Sequence, residues 1–389
     1  MPPAILFCRS NPVAPDPRVE KEARALARAG YRVHILGWDR SGELNPHSWI
    51  EQVKVTRLPI RAGFGRGLGN LPQVLAWQLG LASWLIQHQR EYDLIHACDF
   101  DTVLPAVFAK WLYGKQVVYD IFDFYADHLR ATPSWAKEII RKIDLAIINR
   151  VDAVLLVDDA RRKQIAGSAP HRLAVIYNSP EDSAQELAES KDTLAGDGKT
   201  DGKPGKLGLV YVGLIQVERG LLELLDVMQR HPEWTLDLAG YGGDEKIIIG
   251  RCLDCPNVRW HGRVPYEQTL RMSQQADILI ATYDPAIVNH RYASPNKIFE
   301  AMMLSKPIIV AENTNMDQIV RQADCGYIIE YGNVRQLEDA IAFYADEPQM
   351  QHQHGLNARR AYEQQYSWEK MRLRLLELYQ QLASAAGEN

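Results

Sequence analysis

One pattern governs what this chain can become: continuous apolar runs of strand length alternate with stretches of helical character, and the alternation starts twice. In the first half the strand-like runs are "AILFC", "YRVHIL", "VKVTRL", "DLIHA", "QVVYDI" and "AVLLV". Helical patterns separate most of them. "DPRVEKEARALARAG" is one, with Asp16 placed as N-cap, Pro17 in the first turn and Gly30 just past the end. Strands apolar throughout, rather than at alternate positions, are buried on both faces, which implies a parallel sheet covered by helices. Residues 181–206, "EDSAQELAESKDTLAGDGKTDGKPGK", break the pattern with Gly, Asp and Lys and read as a linker or flexible loop. The alternation then resumes with "LGLVYVG", "WTLDLAG", "VRWHG", "DILIAT", "PIIVA" and "GYIIEY". The expectation is an α/β protein of two doubly wound, Rossmann-like domains, 1–180 and 207–366, facing each other across a cleft. The last helix, 367–384, has spare apolar surface and is expected to pack back on the first domain.

Length agrees, because 389 residues exceed what one core usually holds. A net charge of −5 gives no basic footprint for a nucleic-acid partner. The start "MPPAILFCRS" lacks the basic region of a signal peptide, and five cysteines suggest a reducing compartment, so the expected location is cytoplasmic. "CLDC" at 252–255 has no second ligand pair and reads as two incidental thiols rather than a zinc site. The segment 71–86, "LPQVLAWQLGLASWLI", is uncharged but shorter than the ~20 residues that span a bilayer. It reads either as a helix buried on the sheet or as a peripheral contact at the inner face of the membrane, with Arg57, Arg61 and Arg66 upstream.

Open α/β sheets bind ligands beyond the carboxyl ends of their strands. In the second domain those ends carry "GLIQVERG", "YGGDE" and "YDPAIVNHRYASPNKIFE". Together they supply Arg219, glycine backbone, the helix start at Ser294, Pro295 and Asn296, then Lys297 and Glu300. Clustered cations at a helix N-terminus make an anion site, and a carboxylate can accept paired ribose hydroxyls. The set reads as a clamp for a nucleotide diphosphate.

Here the chain resembles the GT-B glycosyltransferases of the family-4 type, which include phosphatidylinositol mannosyltransferases and many capsule and exopolysaccharide enzymes. In the first domain the resemblance rests on "DPRVEKEARALARAGYRV", "DLIHACDFDTVLPA", "VVYDIFDFYADHL" and "VDAVLLVD". In the second it rests on "YVGLIQVERGLLELL", "LAGYGGDE", "HGRVPYEQTL", "ADILIA" and "SPNKIFEAMMLSKPIIVA". It implies a nucleotide-sugar donor held by the second domain, an acceptor held by the first, and transfer with retention of anomeric configuration. The donor is a substrate, so no cofactor is implied. A UDP-sugar is favoured, with glucose or another hexose, and the acceptor would be a polysaccharide or a lipid-linked saccharide at the cell envelope.

Carried over by position, Arg219 matches the diphosphate-binding cation and Glu300 the ribose-binding carboxylate. Ser294, Pro295 and Asn296 would bring amides to the phosphates beside Lys297. Gly213, Gly240, Tyr241 and Gly242 would line the donor, and Val264, next to Arg263, would meet the base. The chain departs from the family at three places: Leu214 follows Gly213 where an arginine is common, Tyr292 stands where the first of two glutamates would, and Phe122 replaces a histidine near the reaction centre. The catalytic candidates are therefore Arg219 and Lys297, which would stabilise the leaving diphosphate, and Asp123, for the acceptor. Asp16, Arg18, His96 and Asp99 are candidates for the acceptor side. "DFD" at 99–101 resembles a metal-binding pair, but it precedes a helix that Asp101 would cap, so no essential metal is expected. A sugar-nucleotide epimerase of the same fold and a non-catalytic binding module are the alternatives.

Overall fold

The computed structural model describes residues 2–63, 71–128, 132–189 and 207–387. The chain divides into two compact units, one of Met1–Tyr177 with Met371–Asn389 and one of Asn178–Lys370. The stretch 181–206 is not irregular throughout. Ala184–Glu189 form a short helix with Leu187 buried, Asp182 binds Arg359 at 2.6 Å, and the Pro180 carbonyl accepts from Tyr362 at 3.0 Å. These contacts bind 180–187 to the second unit, while 190–206 lie outside the described residues.

In the first unit the strands are β1 (Ala4–Arg9), β2 (Arg32–Asp39), β3 (His47–Ile50), β4 (Val53–Pro59), β5 (Leu94–Cys98), β6 (Gln116–Ile121), β7 (Ala153–Leu156) and β8 (Leu173–Val175). They form one sheet in the order β3-β4-β2-β1-β5-β6-β7-β8, parallel except for the β3–β4 pair. Sequence reading finds neither β3 nor β8, which are edge strands of four and three residues, too short for an apolar period. Helix Pro17–Arg28 starts as expected: the Asp16 carboxylate accepts from the Val19 amide at 3.3 Å, and Glu20 reaches back to the Asp16 amide at 2.7 Å. Asp101 is not the cap of helix Phe100–Tyr113. Asp99 occupies that position and Asp101 lies in the first turn. The C-terminal helix Trp368–Gly387 buries Met371, Leu375, Tyr379 and Leu382 within this unit, and the Leu382 carbonyl accepts from Gln116 at 2.9 Å.

The second unit holds β9 (Gly208–Leu214), β10 (Thr235–Tyr241), β11 (Val258–Trp260), β12 (Ile278–Ala281), β13 (Ile308–Ala311) and β14 (Gly326–Ile329). All pair in parallel, in the order β11-β10-β9-β12-β13-β14. Each unit is thus a doubly wound, Rossmann-like α/β domain. Connections leave β1 and β9 toward one sheet edge, while β5 and β12 lie on their other side. The carboxyl ends of β1–β5 and of β9–β12 are therefore the topological switch points, where such sheets bind ligands.

Candidate functional site

At the switch point of the second unit, β9 ends at Gly213 and Leu214, and β12 runs into Thr282 and Tyr283. Arg219, on the short turn Val217–Arg219, places its guanidinium 3.9 Å from the centre of the Tyr283 ring. Its carbonyl is fixed by Thr282, whose hydroxyl donates to it at 3.0 Å. Gly220 follows at φ +69°, and a Cβ there would meet the Thr282 hydroxyl at 2.4 Å, so only glycine lets the turn close. Lys297, in the first turn of helix Asn296–Met303, reaches back over Gly213 and lies 3.7 Å above the Tyr211 ring and 5.6 Å from that of Tyr283. A Cβ on Gly213 would come within 3.3 Å of the Lys297 Nζ.

The electrostatics of this corner are unusual. The Lys297 Nζ, the Arg219 Nε and the Ser294 Oγ are all shut off from solvent and have no hydrogen-bond partner. Native proteins leave few buried donors unpaired, and two of these carry positive charge. Burial, with Arg219 adding to it, lowers the Lys297 pKa to about 7 against the opposing pull of Glu300. Glu300 is itself buried and accepts a hydrogen bond from the Tyr266 hydroxyl. The Ser294 carbonyl is held by Asn178 at 3.2 Å, and Pro295 begins the helix with no side-chain cap. The structure therefore brings Gly213, Arg219, Ser294, Lys297 and Glu300 together around two tyrosines, Tyr211 and Tyr283, that the sequence reading passes over.

The other donor candidates are placed differently. Gly240 and Gly242 are glycines for packing reasons: a Cβ would meet the Gly213 carbonyl oxygen at 1.8 Å or the Ile215 carbonyl oxygen at 2.3 Å. The Gly242 amide is taken by Glu245 at 2.8 Å. Tyr241 is half-exposed at the end of β10, with the Arg263 guanidinium 4.7 Å from its ring and Val264 next in the chain. That pair offers a flat, cationic platform of the kind that stacks a base. Tyr292, at the position of the family's first glutamate, closes the short turn Val288–Tyr292.

In the first unit Arg9 leaves β1 and binds Asp16 at 2.8 Å, and it also pairs with Asp99. The other Asp99 oxygen accepts the Phe122 amide at 2.9 Å and the Asp123 amide at 3.4 Å, so it shapes the turn after β6. Phe122 lies under two guanidiniums, 4.1 Å from Arg9 and 5.0 Å from Arg18. A histidine able to charge would be repelled there, which accounts for the phenylalanine. Asp123 is half-exposed and binds Arg161 at 2.9 Å.

Arg18 and His96 are both buried. Arg18 is buried, donates to both Asp120 oxygens at 2.9 and 3.0 Å, and donates to the Ile176 carbonyl at 2.6 Å. His96 has no exposed area; it stacks on Phe7, meets the Tyr379 hydroxyl at 2.6 Å and Asp120 at 3.3 Å. Both are packed into the core of this unit. Their type and spacing give no sign of it, because Tyr379 comes from the far end of the chain. Among the described residues one trio has metal-ligand geometry, Glu22, His96 and Asp120. The Arg18 guanidinium, 3.2 Å from Glu22 and 2.9 Å from Asp120, already supplies the cation there.

Residues 14–179 match the model of the glycosyl transferase 4-like domain, and residues 198–361 match that of the glycosyl transferases group 1. No curated protein matches the chain in sequence. Among solved structures, sucrose-phosphate synthase (tll1590) from Thermosynechococcus elongatus is similar at 16% identity and a TM-score of 0.75, over 98% of this chain and 100% of that one. Anabaena Alr3699/HepE, solved in complex with UDP and glucose, is similar at 16% identity and a TM-score of 0.70 over 100% of both chains. An α,α-trehalose 6-phosphate synthase from Burkholderia multivorans has 13% identity and a TM-score of 0.71, over 99% of this chain and 100% of that one. With both domain models matched in order and the fold shared along its length, the chain belongs to the group 1 glycosyltransferases of GT-B fold.

Proposed function

We propose that the protein transfers a hexose from a UDP-sugar to a polysaccharide or lipid-linked saccharide, with retention of anomeric configuration. The observation that carries this reading is the trio of buried, unpartnered donors, Lys297 Nζ, Arg219 Nε and Ser294 Oγ, at the switch point of the second unit. Such donors suit a diphosphate, and Glu300 suits the ribose hydroxyls. The UDP and UDP-glucose complexes of HepE favour uridine as the base and glucose as the sugar, at the level of a shared fold.

In the proposed reaction the bond between the anomeric carbon and the diphosphate oxygen breaks, and the electron pair leaves with the diphosphate. Arg219 and Lys297 stabilise that growing negative charge. The acceptor hydroxyl adds to the anomeric carbon from the face the leaving group departs, and its proton passes to a diphosphate oxygen. Asp123, aligned by Arg161, positions the hydroxyl. Phe122 and Tyr292 stand where the family has a histidine and a glutamate, which weighs against an epimerase, since epimerisation needs acid and base side chains at the sugar.

Incubation with a panel of nucleotide sugars and saccharide acceptors, followed by nuclear magnetic resonance of the product, tests the proposal. Release of UDP together with an axial-to-axial or equatorial-to-equatorial outcome supports it. An altered sugar still bound to nucleotide identifies an epimerase, an inverted product removes retention, and binding without turnover identifies a binding module.

A further inference from the structure

The amino ends of β1, β2 and β4, opposite to the switch point of the first unit, border a cavity of about 470 Å³. Its floor follows from strand register. Leu6 pairs with His34, His34 with Lys54, and Lys54 with Trp49, so the four side chains stand in one row on one face of the sheet. Helix Leu71–Gln87 packs on that face. Trp84, in its last turn, meets the His34 ring edge-on at 5.4 Å and stacks on His88 at 4.1 Å. At the other end of the row Trp49 is 67% exposed on an edge strand, where a tryptophan is ordinarily well buried. A lone exposed tryptophan needs no explanation. This one shares a cavity with Trp84 and with the rings of Tyr31 and Tyr92. Aromatic walls with a few polar groups, at a volume within the range of ~300–1,000 Å³, are the marks of a small-ligand site.

We infer that this cavity binds a neutral saccharide. Charge and polarity decide the class. Arg32 and Lys54 face Glu91 across the lining, and among the described residues none of the three is in an ion pair. Burial, with Lys54, His88 and His47 adding to it, lowers the His34 pKa to about 4, so its ring is neutral. The surplus of one positive charge is countered by helices Pro17–Arg28 and Leu71–Gln87, which run back against the strands and end here, each carrying about −0.5 at its carbonyl end. A site balanced in this way selects neither an anion nor a cation. It offers donors on Arg32, Lys54 and Gln52, and acceptors on Glu91 and Gln52. A pyranose ring matches it, with C–H faces for the indoles and a rim of hydroxyls that both donate and accept. From Ala4 to the carboxyl end of β1 at Arg9 is about 16 Å along the strand, so this site is separate from the acceptor contacts proposed for the first unit. The inference does not rest on the glycosyl-transfer reading.

Saturation-transfer nuclear magnetic resonance of the full chain with neutral gluco-, galacto- and manno-trisaccharides tests it. At least one of them binds, and Trp49→Ala weakens that binding at least ~10-fold, with circular dichroism and the thermal midpoint unchanged. Trp49→Phe, which keeps a ring at the position, stays within about 3-fold of the unaltered chain, so the loss in the alanine variant reports the ring rather than the strand. Failure of every trisaccharide to bind overturns the inference. So does binding that Trp49→Ala leaves unchanged, which assigns the saccharide to another part of the chain. Tighter binding of a uronic-acid trisaccharide than of its neutral counterpart also overturns it, because the cavity is then an anion site.

Discussion

At Lys297 the fold maintains an ammonium that no side chain or carbonyl binds, over two tyrosine rings and near a second cation. Keeping such a charge costs folding free energy, and the diphosphate proposed to bind there would supply its missing partner. Lys297→Met should therefore lower transfer by about 10²–10³-fold. The same change should leave the apo protein's thermal midpoint equal or higher; a clear fall would make Lys297 structural. Its lowered pKa fixes a pH dependence as well. The unfolded chain keeps this proton up to the usual lysine range near ~10.4, whereas the folded one releases it above about 7. More protons are then bound unfolded than folded in that window, so this group makes apo stability rise with pH there. A bound diphosphate pulls the pKa back up, so binding takes up a proton, and UDP affinity should fall by up to ~10-fold per pH unit above pH 7. Calorimetry across pH checks this, with the slope absent in Lys297→Met. Glu300→Gln should weaken UDP binding by roughly 10–100-fold through loss of charge-assisted hydrogen bonds. Arg219, Lys297 and Glu300 are legible in the sequence because charged side chains beside a helix start and a strand end announce an anion site. Tyr211 and Tyr283 are not, because an aromatic residue in or just after an apolar strand looks like core until the cation above it is placed.

Elements show where composition misleads. Glycines in "LAGYGGDE" look like a phosphate loop, yet two of them are dictated by backbone crowding between β10, Gly213 and Ile215. Gly240→Ala should destabilise the second unit by at least ~3 kcal/mol, since its Cβ would fall on a carbonyl oxygen and its φ of +151° suits glycine. Gly243, where an added methyl would have no neighbour within 4 Å, should tolerate alanine within about 1 kcal/mol. Urea unfolding of the two variants compares them directly. Strand order and helix placement are readable because buried parallel strands announce themselves as unbroken apolar runs. The short strands β3 and β8 carry too few residues for that signal. Segment 71–86 is buried along one side, as the first of its two readings expects, with Trp77, Leu81 and Leu85 in the core and Leu71, Leu75 and Leu79 outside it.

For the whole molecule, the chain's last helix completes its first unit, so the two units interleave in sequence. Met371, Leu375, Tyr379 and Leu382 are buried there, each contributing roughly 1.5–3 kcal/mol on burial. Truncation after Lys370 should therefore leave the first unit unfolded or aggregated, as judged by the loss of protected amides in hydrogen exchange. Tyr379→Phe, which removes only the bond to His96, should cost about 1 kcal/mol. No local pattern could pair His96 with Tyr379, because 283 residues separate them. The central claim concerns charge: a donor diphosphate is held at the switch point of the second unit by Lys297 and Arg219. Calorimetric titration of UDP into the unaltered chain and into Lys297→Met tests it most directly. The expected result is clear binding to the first and a loss of about 10²-fold or more in the second; equal affinity for both would contradict the account.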